Sequence, residues 1–152
     1  MFRNNSIKQD WRVHFMRYAP LFIWICVILF LSSGQASMPQ TSRFIKPLLE
    51  FLFPSASAET LIIYHGYIRK LAHFTEYAIV GFFAARAFST SSIDVFRRYW
   101  VIISILLAAS IAGLDEFNQS LDSSRTASIW DVLLDIFGGV TAIAVYYFIK
   151  RK

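Results

Sequence analysis

Between Tyr99 and Leu114 the chain reads YWVIISILLAASIAGL, an apolar run without one charged side chain. In lipid, every backbone N–H and C=O must find its partner inside the segment, which leaves the α-helix as the form of such a run. Three other stretches resemble it. Ala19 to Ser33 (APLFIWICVILFLSS) is free of charge, and with Tyr18 it approaches the ~20 residues that a span requires. Leu71 to Phe88 is apolar apart from His73, Glu76 and Arg86, and Ile129 to Ile149 carries Asp131 and Asp135 near its start. Spans are therefore expected at about 19–34, 69–88, 98–116 and 129–149. The first is read as a retained helix, because the small residues Ser55 to Ala58 lie too far downstream of it to mark a signal-peptide cleavage site.

Composition agrees with this. The chain is 56% hydrophobic, 17% aromatic and only 16% charged, whereas soluble domains carry about a quarter charged residues. Disorder is excluded, since it needs low hydrophobicity and high charge. Cys26 is the single cysteine, so a disulfide framework and a cysteine metal site are excluded too. The excess of Lys+Arg over Asp+Glu, 15 against 10, is assigned to the ends of membrane helices and not to nucleic acid. The expected fold is an all-α, four-helix transmembrane bundle, one domain over residues 1–152.

Basic residues set the expected orientation. Arg3, Lys8, Arg12 and Arg17 precede the first span, Arg86, Arg97 and Arg98 flank the middle connection, and Lys150, Arg151 and Lys152 follow the last span. Cytoplasmic segments carry such excesses, so both termini are expected in the cytoplasm. The long first connection is then external. Within it, Phe44 to Phe53 (FIKPLLEFLF) places Lys46 and Glu50 four residues apart among apolar side chains, as in a short amphipathic helix on the outer leaflet. Pro39, Pro47 and Pro54 punctuate it.

The acids then fall into a pattern. Five of the ten, Glu76, Asp115, Glu116, Asp131 and Asp135, lie in or beside the outer halves of the last three spans. Arg69, Lys70, His73, Gln119 and Arg125 lie with them. Spacings of three and four put Arg69, His73, Glu76 and Tyr77 on one helix face, Asp115 with Gln119 on another, and Asp131 with Asp135 on a third. Glu76 and Asp135 are expected at similar depth, facing each other or a shared cavity. An ionisable group in hydrocarbon costs at least a few kcal/mol, so each should face the bundle interior. Gly113, Gly138 and Gly139 are read as close-approach positions between helices.

These same residues carry a family resemblance. Arg69-Lys70-Leu71-Ala72-His73-Phe74-Thr75-Glu76-Tyr77 resembles the first signature of VanZ-like membrane proteins. Asp115-Glu116-Phe117-Asn118-Gln119, then Arg125, then Asp131-Val132-Leu133-Leu134-Asp135 and Gly138 resemble the second, and Leu31-Ser32-Ser33 resembles the usual end of the first span. The pattern departs at Leu121 to Ser124, where an aromatic or Pro-Gly turn is expected ahead of Arg125. The resemblance implies a multi-pass protein of the bacterial plasma membrane and a link to resistance against teicoplanin, a glycopeptide that acts on peptidoglycan precursors. It brings no defined reaction with it.

The expected site comprises Arg69, Lys70, His73, Glu76, Asp115, Glu116, Gln119, Arg125, Asp131 and Asp135. His73, Glu76, Asp131 and Asp135 are the candidate ligands for a divalent metal, and Glu76 and Asp135 the candidate acid or base. Arg69, Lys70 and Arg125 suit a phosphate or pyrophosphate. The expected partners are the bilayer and an envelope lipid or peptidoglycan precursor. No spacing matches a metalloprotease, a P-loop or a nucleophile elbow, so binding is favoured over catalysis. The alternatives are a lipid-processing enzyme and a purely structural network, with His73 bonded to Asp131 or Asp135 and Arg125 to Asp115 or Glu116. Five acids against three cations sit badly with a structural network, since unpaired buried charge is expensive.

Overall fold

The computed structural model describes residues 3–32, 38–121 and 128–152. Every element among them is helical: α1 (Arg3–Phe30), α2 (Met38–Leu52), α3 (Ala58–Ser89), α4 (Asp94–Arg98), α5 (Trp100–Ser120) and α6 (Ile129–Lys150). Ser33 and Gly34, at the expected end of the first span, and residues 122–127 with Arg125 lie outside the described residues.

The bundle is organised around α3, which touches every other helix and packs most closely on α6. It starts at Ala58, well ahead of the expected span at 69–88. Ser57 accepts a hydrogen bond from the backbone N–H of Thr60 at 3.2 Å, and Glu59 stands in the first turn. Both stabilise a helix N-terminus, the first by capping an orphan donor and the second through the dipole. With 32 residues at 1.5 Å each, α3 is about 48 Å long. That exceeds the ~30 Å hydrocarbon thickness of a bilayer.

Contact between α3 and α6 is backbone to backbone. A Cβ built on Gly81 would land on the carbonyl of Gly139, and one on Gly138 would land on the carbonyl of Phe74. Gly139 sits against the Ala108 methyl of α5. The expected close approach at Gly138 and Gly139 is therefore found. Gly113 differs: it is exposed, and an added Cβ would meet nothing within 4 Å. It lies on the outward face of α5, where a small residue brings no partner nearer.

Three helical segments are long and apolar enough to cross a membrane: Arg12–Phe30, Trp100–Ser120 and Ile129–Lys150. Only 11%, 33% and 22% of their windows are buried within the chain. Phe22, Phe30, Leu106, Phe137 and Phe148 are among the large apolar side chains left outside. An apolar surface this continuous needs lipid as its solvent. The chain is a membrane protein. α3 carries Arg69, Lys70, Glu76 and Arg86 and is more polar than the other three.

α2 is longer than the expected Phe44–Phe53 segment and runs through Pro47. Lys46 and Glu50 form the anticipated ion pair at 3.8 Å. Leu49 is buried, while Phe44, Leu48, Phe51 and Leu52 point away from the bundle. Their spacing makes one exposed apolar stripe.

The two ends of the bundle differ. At one, the segment at and after the C-terminus of α3 collects basic side chains from three other helices. Lys150 Nζ donates to the Ser89 carbonyl at 3.1 Å, Arg97 Nη1 to the Ser91 carbonyl at 3.2 Å, and Arg17 Nη1 to Ser92 Oγ at 3.4 Å. Glu76, Asp115, Glu116, Asp131 and Asp135 lie toward the other end.

Candidate functional site

At that acidic end, α3, α5 and α6 each direct polar side chains inward. Helical spacing on α3 aligns Arg69, His73 and Tyr77, one turn apart. On α5, Asp115 and Gln119 repeat the spacing, and on α6 Asp135 lies one turn inside Asp131. Ser128 caps α6 by accepting from Trp130 N–H at 3.3 Å, which fixes where its first turns begin.

His73, Asp115 and Asp135 converge. Each offers a ligand atom, and these atoms lie within 4.8 Å of one another. His73 Nδ1 is 3.3 Å from Asp135 Oδ1, in ion-pair range but not aligned as a hydrogen bond. The Tyr77 hydroxyl donates to Asp115 Oδ2 at 3.3 Å. Asp135 is 0% exposed, Asp115 2% and His73 9%. Among the described residues, His73 Nδ1, Asp115 Oδ1 and both Asp135 oxygens have no hydrogen-bond partner.

Beside this trio lies a cavity of about 210 Å³. Ile28, Leu31, Ile45, Ile68 and Ala72 give it apolar walls, and Arg69, His73, Glu76, Asp115 and Gln119 give it a polar side. Arg69 Nη2 donates to Gln119 Oε1 at 3.3 Å, which engages one of the five N–H donors of its guanidinium. The backbone carbonyl of Glu76 accepts from Trp24 Nε1 at 2.9 Å, which ties α1 to α3 at this level.

The expected site residues separate into groups. Arg69, His73, Glu76, Asp115 and Gln119 line the cavity, and Asp135 adjoins it through His73. Glu116 is buried and accepts from the backbone N–H of Ser128, so it joins α5 to the start of α6. Lys70 is exposed, and Asp131 is half-buried at the rim of α6. Arg125 lies outside the described residues. Of the four expected metal candidates, His73 and Asp135 come together, with Asp115 as the third member of the cluster; Glu76 stands on the cavity wall.

Sequence reasoning missed His65. It is buried on α3, lines the cavity, and bonds Thr41 Oγ1 at 3.1 Å and Ser42 Oγ at 3.3 Å on α2. One further four-residue step back from Arg69 reaches it, so the face already drawn through His73 contained the signal. Ser32 was also missed as a site residue. Its hydroxyl donates to the Asp115 carbonyl at 3.2 Å and accepts from Asn118 Nδ2 at 3.1 Å, anchoring the end of α1 on α5.

No curated protein and no solved structure matches the chain. The family model described as VanZ/LLP1 matches residues 18–150, a stretch that contains all three apolar spans' cores, α3 and every residue of the cluster and cavity. The chain belongs to the VanZ/LLP1 family.

Proposed function

We propose that this VanZ-type protein spans the bacterial plasma membrane four times, with α3 as the fourth crossing and both termini in the cytoplasm. Its cavity receives the polar headgroup of an envelope lipid or lipid-linked peptidoglycan precursor at the outer face. The family's link to glycopeptide resistance then follows from handling the precursor that the antibiotic targets.

The cavity's two-sided lining is the observation that carries this reading. Apolar walls from α1, α2 and α3 suit the beginning of a lipid chain, while Arg69 offers the forked donors that phosphate accepts. Size narrows the ligand. About 210 Å³ is below the ~300–1,000 Å³ of pockets that enclose drug-sized molecules, so a headgroup fragment fits and an entire glycopeptide antibiotic does not. The exposed stripe of Phe44, Leu48, Phe51 and Leu52 suits α2 to lie along the outer leaflet, beside the cavity mouth.

Mass spectrometry of copurifying lipids tests the reading. Wild-type protein should retain an anionic or isoprenoid-phosphate lipid above its abundance in the membrane extract. Glu76→Gln and Arg69→Ala should lose that enrichment while remaining monodisperse and helical. Identical lipid profiles for wild type and both variants would overturn it, and loss of folded protein in both would favour a structural network.

A further inference from the structure

We propose that His73, Asp115 and Asp135 together bind one divalent transition-metal cation, with an open coordination position toward the cavity. The inference deepens the ligand-site reading and rests on it for the identity of what approaches the open position.

Spacing supports it first. Two ligands about 2.0–2.1 Å from a tetrahedral ion lie about 3.3 Å from each other. His73 Nδ1 and Asp135 Oδ1 are 3.3 Å apart, and the Asp115 oxygen lies within 4.8 Å of both. Only the Asp115 side chain has to close in.

The state of the ligand atoms is an independent observation. Asp135 is completely buried, yet neither of its oxygens accepts a hydrogen bond among the described residues. The facing Nδ1 of His73 and Oδ1 of Asp115 are in the same condition. Buried polar atoms are nearly always satisfied, and a desolvated carboxylate lacking donors is costly. A divalent ion engages an unpartnered atom of each residue at once: two carboxylates cancel its charge, and a neutral imidazole supplies a third ligand. An His73–Asp135 ion pair alone would leave Asp115 Oδ1 as it is.

Support around the ligands fits too. Tyr77 donates to Asp115 Oδ2, which fixes the carboxylate while Oδ1 keeps no hydrogen-bond partner among the described residues. Metal ligands are commonly oriented by such outer partners. His73 and Asp115 reach the cavity wall while Asp135 is sealed from it, so the accessible face of a bound ion points into the cavity. An imidazole with two carboxylates suits zinc or manganese better than magnesium or calcium, which take oxygen ligands.

Purified full-length protein, stripped with chelator and dialysed against Zn²⁺ or Mn²⁺, tests the proposal by elemental analysis and equilibrium binding. One equivalent per chain is expected, with a higher Tm in the loaded form. His73→Ala, Asp115→Asn and Asp135→Asn should each weaken binding at least tenfold. Tyr77→Phe, which removes only the orienting hydroxyl, should weaken it less, and Glu50→Gln on α2 should bind as wild type does. Should the ligand variants fail to fold, the wild-type and Tyr77→Phe measurements decide. Less than a tenth of an equivalent on stripped wild type with both metals, or full binding by folded Asp115→Asn and Asp135→Asn, would overturn the proposal. Lipid analysis of the same preparations separates the two readings. Enriched lipid without metal sinks the cation alone, whereas bound metal without enriched lipid supports the cation and sinks the headgroup reading.

Discussion

Gly81 and Gly138 hold the tightest contacts between α3 and α6, and each faces a backbone carbonyl that cannot swing aside. Gly81→Ala or Gly138→Ala should therefore cost about 1–3 kcal/mol or more by overpacking. At roughly 2–4 °C per kcal/mol for a chain of this size, the loss is measurable as Tm in detergent. Gly66→Ala and Gly113→Ala meet nothing within 4 Å, and alanine's better helix propensity makes them neutral or stabilising by up to about 1 kcal/mol. Equal losses at all four positions would contradict this division. The contrast also marks how far residues alone could be read. A glycine in an apolar helix announces that close approach is permitted, but Gly113 and Gly138 look alike until the face turned to the neighbour is known. The acids were more legible because burial in lipid forces them inward wherever they stand. Their pairing was legible only in part: Asp135 was one of two partners expected for His73 and is found beside it, whereas Asp115 as the third member was not anticipated, and Glu76 lines the cavity.

Among the elements, α2 and the first third of α3 were the least visible in sequence. Apolar periodicity identified only Phe44 to Phe53, because the polar residues ahead of it give no stripe to detect, and Pro47 reads as a break. The helix nevertheless begins at Met38 and passes through Pro47. Early α3 was hidden in a different way: its capping signal, Ser57 with Glu59, sits in what reads as a loop of small residues. What joins these two elements is the buried His65 with Thr41 and Ser42. His65→Ala removes both hydrogen bonds, and at about 0.5–1.5 kcal/mol each the docking of α2 should weaken by roughly 1–3 kcal/mol. The expected readout is faster hydrogen exchange confined to α2 and the start of α3, with α5 and α6 unchanged. Uniform acceleration across all helices would mean that His65 supports the bundle as a whole.

For the molecule as a whole, the number of crossings decides which sides its ends face. The three strongly apolar helices alone would leave the termini on opposite sides, whereas α3 as a fourth crossing returns them to one side. Reporters fused ahead of Arg3 and after Lys152 should both signal the cytoplasm, and an external signal from either would remove α3 from the count. The apolar spans were legible because lipid admits so few structures, and α3 was legible as a helix from its apolar run at Leu71 to Phe88, although it is not one of the three segments apolar enough to cross by themselves. One consequence belongs to the glycine crossing. Gly138 rests on Phe74, the neighbour of His73, only one turn from Asp135, with no side chain between the two backbones to act as a cushion. The gap between His73 and Asp135 is thus set by a stiff support instead of a compressible one. A pair of ligands held that way selects by ionic radius: an ion that is too large must separate two helices to enter, and one that is too small must leave a ligand behind.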